Sequence, residues 1–163
     1  MSRQPPIRYI DRTKAQYDAL GYGSYDWAHN PDAPPITTLP RPVSELRLGV
    51  IATGGIYASG QTAFTYKDDL TYRAIPSDTP SEHLRATHFA YDLTDARRDI
   101  NVVFPVDTLR AMVADGEIGE LAPDLFTCMG GIYSQRRVRD ELTPALVERC
   151  RRDEIEAVLL VPV

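Results

Sequence analysis

Three short apolar runs, each broken by glycine or proline, constrain the fold of this chain more than any other feature. They are "ELRLGVIATGG" (45–55), "PDLFTCMGG" (123–131) and "EAVLLVPV" (156–163). A brief continuous apolar run bounded by such breakers reads as a strand buried on both faces, because a strand with one wet face would alternate. Between the second and third runs lies "SQRRVRDELTPALVERCRRDE" (134–154), which reads as helical, with Thr143 capping a second segment that starts at Pro144. Strand, helix, strand over 125–163 is a βαβ unit, with parallel strands and a right-handed crossover expected. "NVVFPVDTLRAMVADGEIG" (101–119) adds a helix whose inner face is Leu109, Met112 and Val113, with Gly116 following it. The expected fold class is α/β, a parallel open sheet with flanking helices. Strands are expected near 47–52, 125–129 and 157–162, the last as a third buried strand, and helices near 106–115 and 135–152.

The remainder is less regular. "DRTKAQYDAL" (11–20) reads as a short helix capped by Asp11 and stopped by Gly21. Residues 21–42 are rich in Gly, Pro and aromatics, so they cannot be regular, and Trp27 with its neighbouring tyrosines suggests an ordered arm lying over the body. The chain is then one α/β domain, 1–163, with a helix and Pro-rich arm over 1–43 and a sheet body over 44–163. Residues 56–100 are too many for a structureless loop. They suggest a hairpin of "AFTY" and "TYRAI" and a capped turn at "SDTPSEHL".

Composition excludes several classes. Hydrophobic residues at 43% and charged residues at 25% place the chain among globular proteins. A net charge of −5 argues against a nucleic-acid partner, which wants a basic face. The basic run "QRRVRD" (135–140) reads as a solvated helix face before it reads as an anion site. No apolar run is long enough to span a bilayer and the N-terminus lacks a signal-peptide core, so no membrane partner and a cytoplasmic location are expected.

Candidate chemistry gathers in three places. "ATGGIY" (52–57) follows a strand and presents backbone N–H groups to a carboxylate or phosphate, or is simply a turn that needs glycine. "SEHLRATHFAYDLTDARRDIN" (81–101) holds His83, His88, Asp92, Asp95 and Asp99, and its spacing fits no common metal site. His88 reads either as a hydrogen-bonding or acid/base group oriented by Asp92 or Asp99, or as part of a solvated polar loop in which Thr94 caps the turn "DARRD". Cys128, at a strand end before Gly130 and Gly131, is a candidate thiol nucleophile or a buried small hydrophobe. Cys150 reads as structural.

Taken in order, "PPIRYIDRTKAQYDALGYGSYDWAHN" (5–30), "GVIATGGIY" (49–57), "IPSDTP" (75–80), "THFAYDLTDARRDINVVFPVDTLR" (87–110), "DGEIGELAP" (115–123) and "EAVLLVPV" resemble the N-terminal part of the glycine/sarcosine/betaine/D-proline reductase selenoprotein B family. "SDTP" and "RDINVVFP" are the most specific pieces. The resemblance implies the incomplete N-terminal part of a larger α/β protein. It also implies an oxidoreductase role, the reductive cleavage of an amine C–N bond with a dithiol donor. By resemblance, Thr53, Gly54 and Gly55 line the substrate cleft, and His88, Asp92, Asp99 and Asn101 position substrate or maintain the loop. No cofactor is expected within 1–163. Selenocysteine is expected beyond Val163, with a pyruvoyl group on a partner subunit in the glycine branch. Because UGA encodes both selenocysteine and termination, the chain is expected to end where that codon is read as a stop. The alternative is a short paralogue whose catalytic half sits on another chain. The implied partners are other reductase subunits, a small amine or amino-acid substrate, and further copies of the chain. The competing expectation is a small α/β metabolite-binding or structural subunit without catalysis.

Overall fold

β1 (Arg47–Ala52) runs through the middle of a mixed sheet because its residues are apolar on both faces. Val50 and Ala52 are buried against one layer, and Ile51 packs against the other. The structure, a computed structural model, describes residues 8–21, 29–35 and 37–163. The chain divides into two units, 1–36 and 37–163.

In the first unit, α1 (Tyr9–Ala19) starts two residues earlier than expected. Asp11 is therefore not its cap. It lies in the first turn, where a carboxylate favours the helix dipole, and pairs with Arg8 at 3.0 Å. Gly21, at φ 74°, follows the helix and donates to the Asp18 carbonyl. Part of the proposed arm over 21–42, residues 22–28 and 36 with Trp27 among them, lies outside the described residues.

The second unit carries the sheet. β6 (Asp124–Cys128) and β7 (Ala157–Val161) both run parallel to β1 and flank it. β3 (Tyr72–Pro76) lies antiparallel on the outer side of β6. The expected hairpin is thus absent: "TYRAI" pairs with a strand some fifty residues on, not with "AFTY", because the apolar edge of β6 offers a longer ladder. β2 (Ile56–Ala58) and β4 (Leu84–Ala86) form a separate antiparallel pair. β5 (Glu120–Leu121) pairs with the start of β1 and is in line with β6. Between them β1 advances three residues, from Leu48 to Ile51, while the facing chain advances five, from Leu121 to Phe126. Pro123, which has no N–H to give, sits in that slack.

Helices cover both faces. α2 (Thr94–Arg98) is short, and α3 (Val106–Ala114) buries Val106 and Leu109 in the layer that also holds Val50, Phe104 and Leu125, with Met112 and Val113 packed at its margin. On the other face Leu142 and Leu146 pack on Phe126 and Cys128. Each such buried side chain contributes about 1.5–3 kcal/mol by leaving water. The helix that carries them is continuous: α4 (Gln135–Arg137), a π-helical turn over Val138–Leu142, and α5 (Thr143–Arg152). Thr143 is therefore not a cap. The wider π turn absorbs the missing N–H of Pro144 without a break. The N-cap is Ser134, whose hydroxyl accepts from Arg137 N–H. The basic run is a solvated face, with Arg137 paired to Glu141 and Arg139 to Asp140.

β7 differs from expectation. Among the described residues it is an edge strand, and Val158, Leu159 and Leu160 are 39%, 37% and 66% exposed. The layers on both faces are centred on β1 and β6 and touch β7 only at Val161.

Candidate functional site

β1, β6 and β7 are parallel, so their carboxyl ends meet at one rim, where ligands of open α/β sheets bind. Thr53, just past β1, donates its N–H to the Val161 carbonyl, and its hydroxyl accepts from Val163 N–H at 2.9 Å. Its carbonyl accepts from Gly130 N–H at 2.8 Å. Gly54 bridges Met129, and Gly55 donates to the Cys128 carbonyl. The two diglycine stretches after β1 and β6 are thus laced together.

Gly55 must be glycine, and Gly130 is closely fitted. Gly55 has φ 67°, and a β-carbon there would collide with the Thr87 carbonyl, whose own N–H donates to Gly55 O at 3.0 Å. At Gly130 a β-carbon would stand 3.0 Å from the Val163 backbone oxygen, 3.1 Å from His88 Nε2 and 3.3 Å from Thr53 O. The absence of a side chain lets three strand ends and one imidazole converge.

That imidazole is buried. Its Nδ1 accepts from Ala90 N–H at 3.0 Å, and its Nε2 has no partner among the described residues. Neither Asp92 nor Asp99 orients it, as the sequence had suggested. The Ala90 backbone does so from two residues away. Burial pushes the His88 ring down to about 4, so it is neutral near pH 7. Tyr91 packs on it at 4.7 Å between centroids, and its hydroxyl donates to Gly54 O at 2.9 Å. Burial pushes that phenol up to about 12.

Thr53, Gly54, Gly55 and His88 therefore share one rim, whereas Asp92, Asp99 and Asn101 hold loops. Asp92 Oδ1 accepts from Thr94 N–H and hydroxyl, so Asp92 rather than Thr94 shapes the turn before α2. Asp99 accepts from Asn101 N–H. The Asn101 amide also donates to Asp107, whose N–H returns to Asn101 Oδ1. Arg110 extends this staple to the Ser77 and Thr79 carbonyls. Cys128 is buried at the end of β6, and burial raises its thiol to about 11. Among the described residues no group of three or more His, Cys, Asp or Glu is placed to hold a metal. A cleft of about 530 Å³ lies between β4 and α2, lined by Tyr57, Arg85, Thr87, Arg97 and Asp99 among others. It approaches the rim through Thr87.

The sequence reading takes Gly130 and Gly131 only as strand breakers, and places Tyr91 beside a strand end without a role. The signal was present: "TGG" and "MGG" end two neighbouring parallel strands in the same way.

Residues 41–163, which contain the whole rim, match the family model described as glycine/sarcosine/betaine reductase selenoprotein B (GRDB). The chain belongs to this family. The quoted N-terminal stretch 5–30 lies outside the match. Among its curated relatives, the D-proline reductase subunit gamma of Acetoanaerobium sticklandii is 28% identical over 128 residues, covering 78% of this chain and 53% of the relative. The glycine reductase complex component B subunit gamma of Symbiobacterium thermophilum is 27% identical over 135 residues, covering 80% and 30%, and that of Peptoclostridium acidaminophilum is 30% identical over 129 residues, covering 72% and 28%. The chain thus spans about half of the first relative and under a third of the other two. No solved structure matches it significantly. No helix among the described residues is long and apolar enough to cross a membrane.

Proposed function

We propose that this chain supplies the substrate-binding rim of a selenoprotein B-type reductase subunit, which cleaves an amine C–N bond with a dithiol as electron donor. The observation that carries the reading is the convergence of Thr53, Gly130 and His88 at the ends of parallel strands, inside the segment matched by the family. The overall reaction takes two electrons from two thiols, which become a disulfide. The carbon–nitrogen bond breaks, the carbon takes one of the two thiol protons and the nitrogen the other, and the amine departs or, from the ring of D-proline, stays tethered. The nucleophile lies outside the described residues, as a selenocysteine or cysteine. A selenol suits the task because it is ionised at neutral pH and displaces an amine from an α-carbon. Cys128 and Cys150 do not suit it: burial raises both thiols, which keeps them protonated near pH 7. In the glycine branch a pyruvoyl group on a partner subunit would hold the substrate amine. The residues of this chain would bind the rest of the substrate, with Gly55 letting the Thr87 loop close on the turn and Tyr91 fixing that turn.

Co-expression with the other subunits of a reductase complex tests this. Dithiol-dependent release of amine from glycine, sarcosine or betaine, or ring opening of D-proline to a linear amino acid, is expected from the assembled complex. An assembled complex inert toward all four would overturn the proposal. Ligand binding without turnover would favour a metabolite-binding subunit, the reading that the protonated thiols also fit.

A further inference from the structure

The two ring nitrogens of His88 are in different situations. Nδ1 accepts from Ala90 N–H, so it keeps its lone pair, and in a neutral ring the proton is on Nε2. That N–H is enclosed and meets no acceptor among the described residues, although His88 is only 4% exposed. A buried donor without an acceptor is costly and rare in native proteins, and those that persist generally have a further partner or a functional role. The ring cannot relieve this by turning. A flip would forfeit the Ala90 bond, and the ring is stacked on Phe89 at 5.6 Å and packed on Tyr91. The other polar atoms around it are engaged: Thr53 O accepts from Gly130 N–H, Gly54 O accepts from the Tyr91 hydroxyl, and Val163 O lies 3.5 Å from the Thr53 hydroxyl that donates to it. The uncommitted group at the strand ends is therefore a donor.

We propose that His88 Nε2–H is the recognition donor of the rim and gives its hydrogen bond to a carboxylate oxygen of a small amino-acid-type ligand. This rests on the functional reading above. The compounds named by the family and its relatives are glycine, sarcosine, betaine and D-proline. Their nitrogens are primary, secondary or quaternary, and what they share is a carboxylate. A neutral ring protonated at Nε2 has no lone pair to offer an ammonium group at that position, so it selects for the shared end. Because the ring stays neutral near pH 7, the contact is a hydrogen bond rather than an ion pair, and His88 is a binding group rather than a proton carrier. Entry requires the Gly130 backbone to move off Nε2, which the absence of side chains at Gly130 and Gly131 permits.

The test uses the full chain labelled with ¹⁵N-histidine. Long-range proton–nitrogen spectra report the tautomer and the Nε2 environment during titration with acetate, betaine and choline, the last lacking a carboxylate. The expected result is an Nε2-protonated ring whose signal shifts with acetate and betaine but not with choline. By calorimetry, His88→Gln, which keeps a donor, should hold betaine within about threefold of the parent, and His88→Leu should lose about tenfold. Melting curves confirm that both variants fold. Four outcomes overturn the proposal: an Nδ1-protonated ring, no response to any probe, a choline shift equal to that of betaine, or undiminished betaine binding by folded His88→Leu. None of these readouts needs turnover. A complex that binds betaine through His88 yet cleaves none of the four compounds sinks the reductase reading alone. A complex that turns over with an unchanged KM after His88→Leu sinks this inference alone.

Discussion

The Thr87 carbonyl occupies the space that a β-carbon at Gly55 would need, and Thr87 N–H donates back to Gly55 O. This contact joins the turn after β1 to the loop that carries His88. Gly55→Ala must break it and also place alanine at φ 67°. The expected loss is about 2–4 kcal/mol of stability in urea unfolding, and an unchanged midpoint would show that the contact is not rigid.

Stability should fall in acid because of His88. Its ring is held at about 4 against an ordinary 6.5, so the folded state favours the neutral form. The contribution is fully present above about pH 6.5 and is lost as pH falls toward 4, up to about 3 kcal/mol. The titratable group packed on the ring is Tyr91, which is neutral throughout this window. Unfolding free energies measured from pH 7 to 4 should slope downward in the parent and flatten in His88→Phe.

Asn101→Ala removes the link between Asp99 and Asp107. We expect a loss of about 1–2 kcal/mol, since two carboxylates lose a shared donor. The Asn101 bond is the leading cause of the lowered pKa of the Asp107 carboxyl, so carbon-detected titration should show that pKa rising toward the ordinary range in the variant.

Cys128 should resist thiol reagents. With its thiol pushed up to about 11 and its side chain buried, the native protein at about pH 8 should release thionitrobenzoate slowly, and only from Cys150. Denaturant should expose the second equivalent. Rapid labelling of Cys128 in the native state would contradict its burial.

The uncovered edge of β7 should promote association. Val158, Leu159 and Leu160 present apolar side chains on a strand whose outer edge has no partner among the described residues. Light scattering is expected to show self-association at micromolar concentration, reduced by Leu160→Lys. A monomer that the substitution leaves unchanged would show that the edge is innocuous.

Much of the sheet was legible because Leu48–Ala52, Leu125–Cys128 and Val158–Val161 are apolar runs with sharp breakers, and α3 carries a helical stripe. The exposure of β7 was not legible, since burial on both faces is what an apolar run ordinarily means and only the helix positions show otherwise. The pairing of Tyr72–Pro76 with β6 was hidden for a different reason: long-range antiparallel partners leave no local mark. At the rim, Thr53 to Gly55 and His88 were identifiable by residue type and resemblance. The Ala90 bond to His88 depends on backbone angles, and the approach of Gly130 depends on the register of three strands, neither of which residue identity encodes.

The slack around Pro123, where the chain facing β1 gains two residues, has a parity. Side chains of a strand alternate between faces, so an even excess returns Leu125 to the layer of Leu121 and keeps Phe126 opposite Ile51. An odd excess would turn β6 inside out. Insertions or deletions between Leu121 and Asp124 should therefore be tolerated in pairs and not singly. Length variation among natural or engineered versions of this segment is expected to step by two, a rule set by the pleat and independent of which residues are added.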